Sequence, residues 1–314
     1  HDINSQHADG TIQELLIYTS DKSGTEQTSI ESNIGDYFTQ NTPLLDTYSG
    51  AAAAYSLRKL RTAYTGSAIR VRRASDNAES DIGFNVFGEL STVELAAFCG
   101  SSDGFVKTWY SQVGTGVDAT QTTTGNQPKI YDSVTGVVTA TNQKPSVKGG
   151  GSSVHLLTQA ANKDFSSGYT WFTTFENVGF NSHMFHLGDY NTQNSFGLRS
   201  VGTGTNAEHE TNNLIVSPLT DVGSGPFIES VLFDGASNAD LYISSSTFQR
   251  SGSNTVGTLA QDLNAKISLL TAMSSGVPRT GTLGYLQELI IWDSDQSANR
   301  TNIETNINTF YSIY

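Results

Sequence analysis

The sequence predicts a mainly β protein, a jelly-roll of two packed antiparallel sheets with a few short helices. Composition is the first reason. Only 15% of the 314 residues are charged, 30 are glycine, and Ser, Thr and Asn are abundant. Many short strands joined by polar turns have this make-up; a helical bundle does not. The second reason is spacing. From Gln127 to Trp292 short apolar runs alternate with turn residues: "PKIYD", "TGVVTA", "KPSVK", "YTWFTTFENV", "HMFHLG", "NSFGLRS", "NLIVS", "FIESVLF", "ADLYIS", "KISLLTAM" and "LQELIIW". About ten strands at such intervals imply a sandwich, not a parallel α/β sheet. The third is the last run, apolar nearly throughout, which belongs inside a sheet covered on both faces.

The elements follow in order. Residues 41–50, "NTPLLDTYSG", read as a linker, with Pro43 and Gly50 as breakers. "AAAAYSLRKLRTAY" reads as a helix, since alanine is the best helix former and Leu57, Leu60 and Tyr64 fall on one helical face. "GSAIRVRR" alternates as a strand, with Ile69 and Val71 on one side and Arg70 and Arg72 on the other. "STVELAAFCG" is a short helix, with Ser91 as N-cap, Glu94 closing a capping box and Gly100 at the end. "GFVKTWYSQV" is a strand. Tyr169, Trp171 and Phe172 fall in a long apolar run and are core candidates.

The chain repeats itself. "QELLIYTSDKSGTEQTSIESNI", from Gln13, resembles "QELIIWDSDQSANRTNIETNI", from Gln287. Gln13, Glu14, Leu15 and Ile17 match Gln287, Glu288, Leu289 and Ile291. Ser20, Asp21 and Ser23 match Ser294, Asp295 and Ser297. After one inserted residue, Ile30, Glu31, Asn33 and Ile34 match Ile303, Glu304, Asn306 and Ile307, and an aromatic pair closes each copy. Each copy reads as a last strand, a Ser-Asp cap and a closing amphipathic helix. Repetition implies duplication. Residues 1–43 are expected to be the tail of a preceding repeat or an assembly arm, and residues 44–314 one complete sandwich module. The N-terminal stretch "HDINSQHADG" lacks the apolar core of a signal peptide, so any such signal is expected upstream.

Charge and cysteine content exclude several functions. A net charge of −13 opposes nucleic-acid binding, which needs a basic footprint. The single cysteine, Cys99, forms no internal disulfide, so the core must supply stability. No run of about 18 apolar residues is present to insert in a membrane. The "GTG" pieces at 114–116 and 202–204 lack a βαβ context, so no nucleotide cofactor is expected.

The segments "SLRKLRTAYTGSAIRVRRASDNAESDIGF" (56–84) and "GFVKTWYSQVGTGVDATQTTTGNQPKI" (104–130) resemble the catalytic domain of α-L-arabinofuranosidase B, glycoside hydrolase family fifty-four. The resemblance covers residues 50–130 and 283–312 and implies a concanavalin-A-like sandwich. The same motifs, with the C-terminal "QELIIW" segment, also resemble lectin-like modules of bacteriophage and bacterial surface structural proteins. For hydrolysis the family needs a nucleophilic glutamate after a mid-domain strand and an acid–base aspartate shortly before the last strand, about 5 Å apart. The resemblance puts the glutamate near Asn191, where 177–207 contains one acid, Asp189, and no glutamate. Nothing between Asp262 and Glu288 is acidic. Ser111 stands where the family usually has aspartate, and the family's vicinal cysteines are missing. The resemblance therefore implies a sugar-binding scaffold without its catalytic carboxylates. It implies a virion or extracellular surface setting, as fibre, decoration or adhesin, with glycan and self-association or other surface subunits as partners. The alternative is an arabinofuranosidase whose acids are displaced.

Candidate sites follow. Trp109, Tyr110 and Gln112 precede a glycine-rich turn, and Asp118 and Gln121 follow it; together they read as the lining of a pocket or as a tight hairpin. Asp189, Tyr190 and Asn191 are the expected remnant of the sugar site. Arg58, Lys59, Arg61, Arg70, Arg72 and Arg73 form a basic cluster that would either grip an anionic glycan or pair with Asp76, Glu79 and Asp81, and pairing is favoured because the charges nearly cancel. His183 and His186, three apart on a strand, are expected on opposite faces and make poor joint metal ligands. "EHE" at 208–210 is expected to be a solvated loop. No metal site is predicted.

Overall fold

A computed structural model describes residues 15–31, 42–113, 117–151, 153–176, 178, 183–190, 195–201, 204–209, 213–219, 225–246, 249–256, 258–259, 261–279 and 281–314. The chain divides into two compact units, His1–Thr42 and Pro43–Tyr314. In the first, residues 25–31 form helix α1, held at its start by the Thr28 hydroxyl donating to the Gly24 carbonyl at 3.1 Å. Of the strand expected just before it, Gln13 and Glu14 lie outside the described residues, and residues 15–20 have no regular structure, with Leu15 and Ile17 70% and 83% exposed. An isolated strand has no edge to satisfy its backbone groups.

The second unit opens with the one-turn helix α2, Leu44–Thr47. Strands β1 to β8 are Ala51–Ser56, Ile69–Arg73, Glu79–Ile82, Gly104–Trp109, Ala119–Thr120, Lys129–Asp132, Gly136–Val137 and Val147–Lys148, with helix α3, Thr92–Cys99, before β4. Strands β9 to β15 are Leu156–Ala160, Tyr169–Glu176, His183–Leu187, Phe196–Val201, Gly204–His209, Asn213–Leu219 and Pro226–Phe233. Strands β16 to β21 are Asn238–Ser244, Gln249–Thr255, Lys266–Leu269, Met273–Ser274, Val277–Pro278 and Tyr285–Trp292, and helix α4, Arg300–Tyr311, closes the chain.

Hydrogen bonding joins these strands, apart from the β19–β20 hairpin, into one antiparallel sheet folded back on itself. One layer runs β1–β21–β10–β15–β16–β17. The other runs β3–β2–β4–β5–β9–β18–β11–β12–β13–β14. Strands β6 and β8 bridge them. The main core lies between the layers, with Tyr55, Trp171, Phe175, Phe227 and Leu289 facing Val71, Trp109, Leu156, Phe185 and Ile267. A second core lies behind the first layer, where Ala54, Phe172, Ile228, Ile290 and Trp292 meet Ile303, Ile307 and Tyr311 of α4 and Leu44 and Leu45 of α2. Covered on both faces and paired on both edges, β21 is the innermost strand, as its apolar run predicts.

Within 41–50, read as a linker, residues 44–47 instead form α2, because Leu44 and Leu45 are buried in the second core. Two further local expectations fail for physical reasons. The alanine run forms strand β1, not a helix, in register with β21 from Ala51↔Trp292 to Ser56↔Glu288. Ala52, Ala53 and Tyr55 enter the main core, while Ala54 enters the second. Alanine's helix preference is a few tenths of a kcal/mol per residue and yields to burial on both faces of a sheet. In α3, Ser91 makes no side-chain cap bond, so the capping box does not form; Gly100 does end the helix, at φ +57°, with its N–H on the Ala96 carbonyl.

Polar groups weld α4 to the sheet. The fully buried Glu288 accepts two bonds from Arg58, at 2.8 and 3.0 Å, and one from the Ser56 hydroxyl at 2.6 Å. Arg58 also donates to the Asn306 side chain at 2.9 Å and lies 5.1 Å from the Phe310 ring centroid. Burial opposes its charge, but Glu288 more than offsets this and holds the guanidinium pKa above its ordinary value. Gln287 exchanges bonds with Asn142 at 3.0 and 3.1 Å. The Ser-Asp cap expected for α4 does not form: the helix N-cap is Asn299, without a side-chain bond, and Asp295 instead accepts the Ser297 N–H at 2.8 Å in the turn that leads into the helix.

Candidate functional site

On the outer side of the second layer, β2, β3 and β4 place their charged residues together. Arg70 makes a bidentate pair with Asp81 at 2.8 and 2.7 Å, and the Tyr110 hydroxyl donates to the same carboxylate at 2.8 Å. Arg73 pairs with Asp76 at 3.0 and 2.7 Å, and Lys107 with Glu79 at 2.6 Å. Arg72 takes no carboxylate; it donates to Gln127 at 2.6 Å and to Asn77 at 2.9 Å, and its guanidinium lies 5.1 Å from the Phe105 ring centroid. Of the basic cluster, Arg70 and Arg73 are matched by acids that follow in sequence, Arg58 by the distant Glu288, and Glu79 pairs with Lys107 outside the cluster.

The residues flanking the glycine-rich turn offer a sugar little surface. Trp109 is fully buried, edge-on to Tyr55. Gln112 is fully buried too; it accepts the Leu60 N–H at 2.7 Å and donates to the Arg58 carbonyl at 2.7 Å. Gln121 bonds to His155 and to the Thr123 N–H. Asp118 accepts the Ser111 N–H at 2.9 Å, which is the hairpin reading. Residues 114–116 lie outside the described residues.

The Asp189 region lies elsewhere, where β11 ends and the connection from β18 to β21 folds across it. A bulge between His183 and Phe185 corrects the expected facing of the histidines. The extra residue shifts the side-chain parity, so both rings fall on one side, 5.9 Å apart between centroids. Tyr190 stands 5.2 Å from His183 and 5.6 Å from His186. Gly197, opposite His186 on β12, makes this possible, because a Cβ there would come within 2.6 Å of the imidazole. The crossing connection is pinned by the Tyr190 N–H to the Met273 carbonyl at 2.8 Å and the Ser275 N–H to the Asp189 carboxylate at 2.6 Å. It brings the Arg279 guanidinium to 4.2 Å from the Tyr190 ring centroid, a cation–π contact. Arg199 donates to the Tyr190 hydroxyl at 3.5 Å. Asn191 lies outside the described residues, as do the side chains of 208–210; the backbone of 204–209 is strand β13, not the expected loop.

A groove of about 460 Å³ opens beside β4, β6 and β8, within the roughly 300–1,000 Å³ of small-ligand sites. Phe105 and Tyr285 supply rings, and Gln127, Lys129, Asp132 and Lys148 supply polar groups. Lys129 is tied to Asp103 and Asp132 at 2.8 and 3.1 Å, and Lys148 lies 5.3 Å from the Tyr285 ring centroid. Gly149 lets the wall approach closely, since a Cβ there would meet the Thr282 carbonyl at 2.2 Å. The sequence gives no sign of this groove, because Phe105, Lys148 and Tyr285 meet only through sheet pairing. Arg279 is equally silent, one basic residue in a turn-rich stretch.

Comparison with known proteins shows what the chain resembles. The family model of the α-L-arabinofuranosidase B catalytic domain matches residues 37–172. This chain is similar to that domain. Among solved structures, a family fifty-four α-L-arabinofuranosidase soaked with a cyclic sulfate inhibitor superposes with a TM-score of 0.67 at 15% identity, covering 85% of this chain and 64% of that one. An arabinofuranosidase complexed with arabinofuranosyl-α-1,2-xylobiose gives a TM-score of 0.63 at 14% identity, with the same coverage. At such identities the likeness is one of fold, and the chain spans 64% of the length of these arabinofuranosidases. No curated protein matches. The arabinofuranosidase-like sandwich is therefore the frame for the two surface features: the Tyr190–Arg279 cluster at the connection before the last strand, and the ring-lined groove at the bridging strands.

Proposed function

We propose that this arabinofuranosidase-like sandwich binds carbohydrate without cleaving it, as a module of an extracellular or virion-surface assembly. The observation that carries the reading is Arg279 over Tyr190. Kinship with family fifty-four would call for a proton-donating carboxylic acid on this connection, shortly before the last strand. A guanidinium stays protonated throughout the working pH range and cannot deliver that proton. Asp189 is the acid of the neighbouring loop, and its carboxylate accepts the Ser275 N–H, a structural bond that fixes the connection. For binding, the groove offers what a sugar needs: ring faces for C–H surfaces, and amide, ammonium and carboxylate groups for hydroxyls. The surface setting rests on the resemblance of the sequence motifs to surface structural modules.

The test pairs an assay with a titration. The purified chain is expected to release no nitrophenol from an aryl α-L-arabinofuranoside and to bind oligosaccharides on a glycan array. Binding should weaken about tenfold in Tyr285→Ala, the loss of roughly one stacked ring. Hydrolysis that disappears on replacing a single Asp or Glu would overturn the proposal in favour of an arabinofuranosidase with displaced acids. A blank array would favour a purely architectural subunit.

A further inference from the structure

In the second unit the residues of the repeated segment have defined contacts. Gln287 locks to Asn142, and Glu288 accepts from two of the three guanidinium nitrogens of Arg58, Nε and Nη2. Leu289 and Ile291 fill the main core, and Ile303 and Ile307 fill the second. Asp295 opens the turn into α4 by capping Ser297. Glu304 accepts from the Ser244 and Tyr314 hydroxyls, and Asn306 accepts from Arg58. The first copy has the same residue at each of these positions: Gln13, Glu14, Leu15, Ile17, Asp21, Ile30, Glu31, Asn33 and Ile34. Polar identities of this kind are hard to explain as helix or strand propensity. In the second copy they serve burial against one particular surface.

That surface is used once in this unit. The slot between β1 and β10 is filled by β21, and both bonds of Arg58 to a carboxylate end on Glu288. Leu15 and Ile17, the counterparts of buried Leu289 and Ile291, stand 70% and 83% exposed. We infer that residues 13–38 are a second closing unit, whose partner is another sandwich of this kind that lacks its own last strand and helix and carries an arginine where Arg58 stands. Entry would insert the missing strand into the slot between two strands and lay the helix over the outer face, with Glu14 and Asn33 sharing the arginine. A carboxylate of wrong reach, or none, would leave that arginine buried and unpaired, which gives the contact its selectivity.

The full-length chain provides the test. Glu288→Ala with Ile291→Asp disables its own closing unit and creates the open sandwich. With residues 13–38 intact, this variant is expected to fold cooperatively by accepting the segment from a second copy, with a scattering mass that is a multiple of one chain. Adding Glu14→Ala and Ile17→Asp should abolish that assembly and lower the melting temperature by more than about 5 °C. Equal behaviour of the two variants, whether both fold or both fail, overturns the inference. Rescue at the mass of a single chain also overturns it, because the partner would then not be a second sandwich.

Discussion

Glu288 and Arg58 show how burial sets the value of a charge. The pair is enclosed by Ser56, Tyr311, Asn306 and Phe310, and each partner is the reason the other tolerates the interior. Glu288→Ala should cost about 3–5 kcal/mol, because it strands a buried guanidinium. Chemical denaturation measures it, and a loss under about 1 kcal/mol would show that water reaches the pair. Arg70→Ala, which breaks a similar bidentate bond in solvent, should cost about 1 kcal/mol or less. Acid adds a third residue-scale expectation. The Val134 N–H, then Lys129 and the Thr135 N–H, hold Asp132 down to about 2; the Asn238 N–H, with those of Ala236 and Ser237, does the same for Asp234. A depressed folded-state pKa stabilises the fold above the ordinary value of 3.8, and that contribution is lost as pH falls through about 2. The melting temperature should therefore decline between about pH 4 and pH 2, and less steeply in Asp132→Asn/Asp234→Asn. An identical slope in that variant would rule these two groups out as the cause.

Strand β1 and the β11 bulge show what elements owe to their neighbours. Four successive alanines have no alternation to announce a strand, yet small side chains are what β1 needs between two cores. Ala54→Leu should overpack the space under α4 and cost about 1–3 kcal/mol, whereas Ala51→Leu, at the partly exposed end of the strand, should cost less. Equal costs would mean that the helix gives way freely. In β11 the pattern "HMFH" sends its histidines apart by strand parity, and one inserted residue in the pairing brings them together. A bulge is a property of two strands, so one strand's sequence could not reveal it. Helix α4 was readable because its four-and-three apolar spacing is a local signal, although the Ser-Asp cap expected for it does not form at the helix start.

At the scale of the whole second unit, α4 covers the outer face of the first layer. Truncation after Asn299 would expose Phe172, Ile228 and Ile290, and the chain should lose its cooperative melting transition and bind an apolar dye. A truncated chain that melts as sharply as the parent would show that α4 is dispensable. Period, turn spacing and composition are local, so the sequence by itself determined the two-layered β architecture, the buried last strand and the positions of α3 and α4. Pairing is long-range, and only the tertiary structure decided which candidates reach the surface. It buried Trp109 and Gln112, paired Arg70 and Arg73 with Asp81 and Asp76, joined Phe105 and Tyr285 from strands 180 residues apart in one groove, and set Arg279 on Tyr190. A side chain's chemistry is written in the residue, but its neighbours and exposure follow from strand register, which distant segments of the chain fix together.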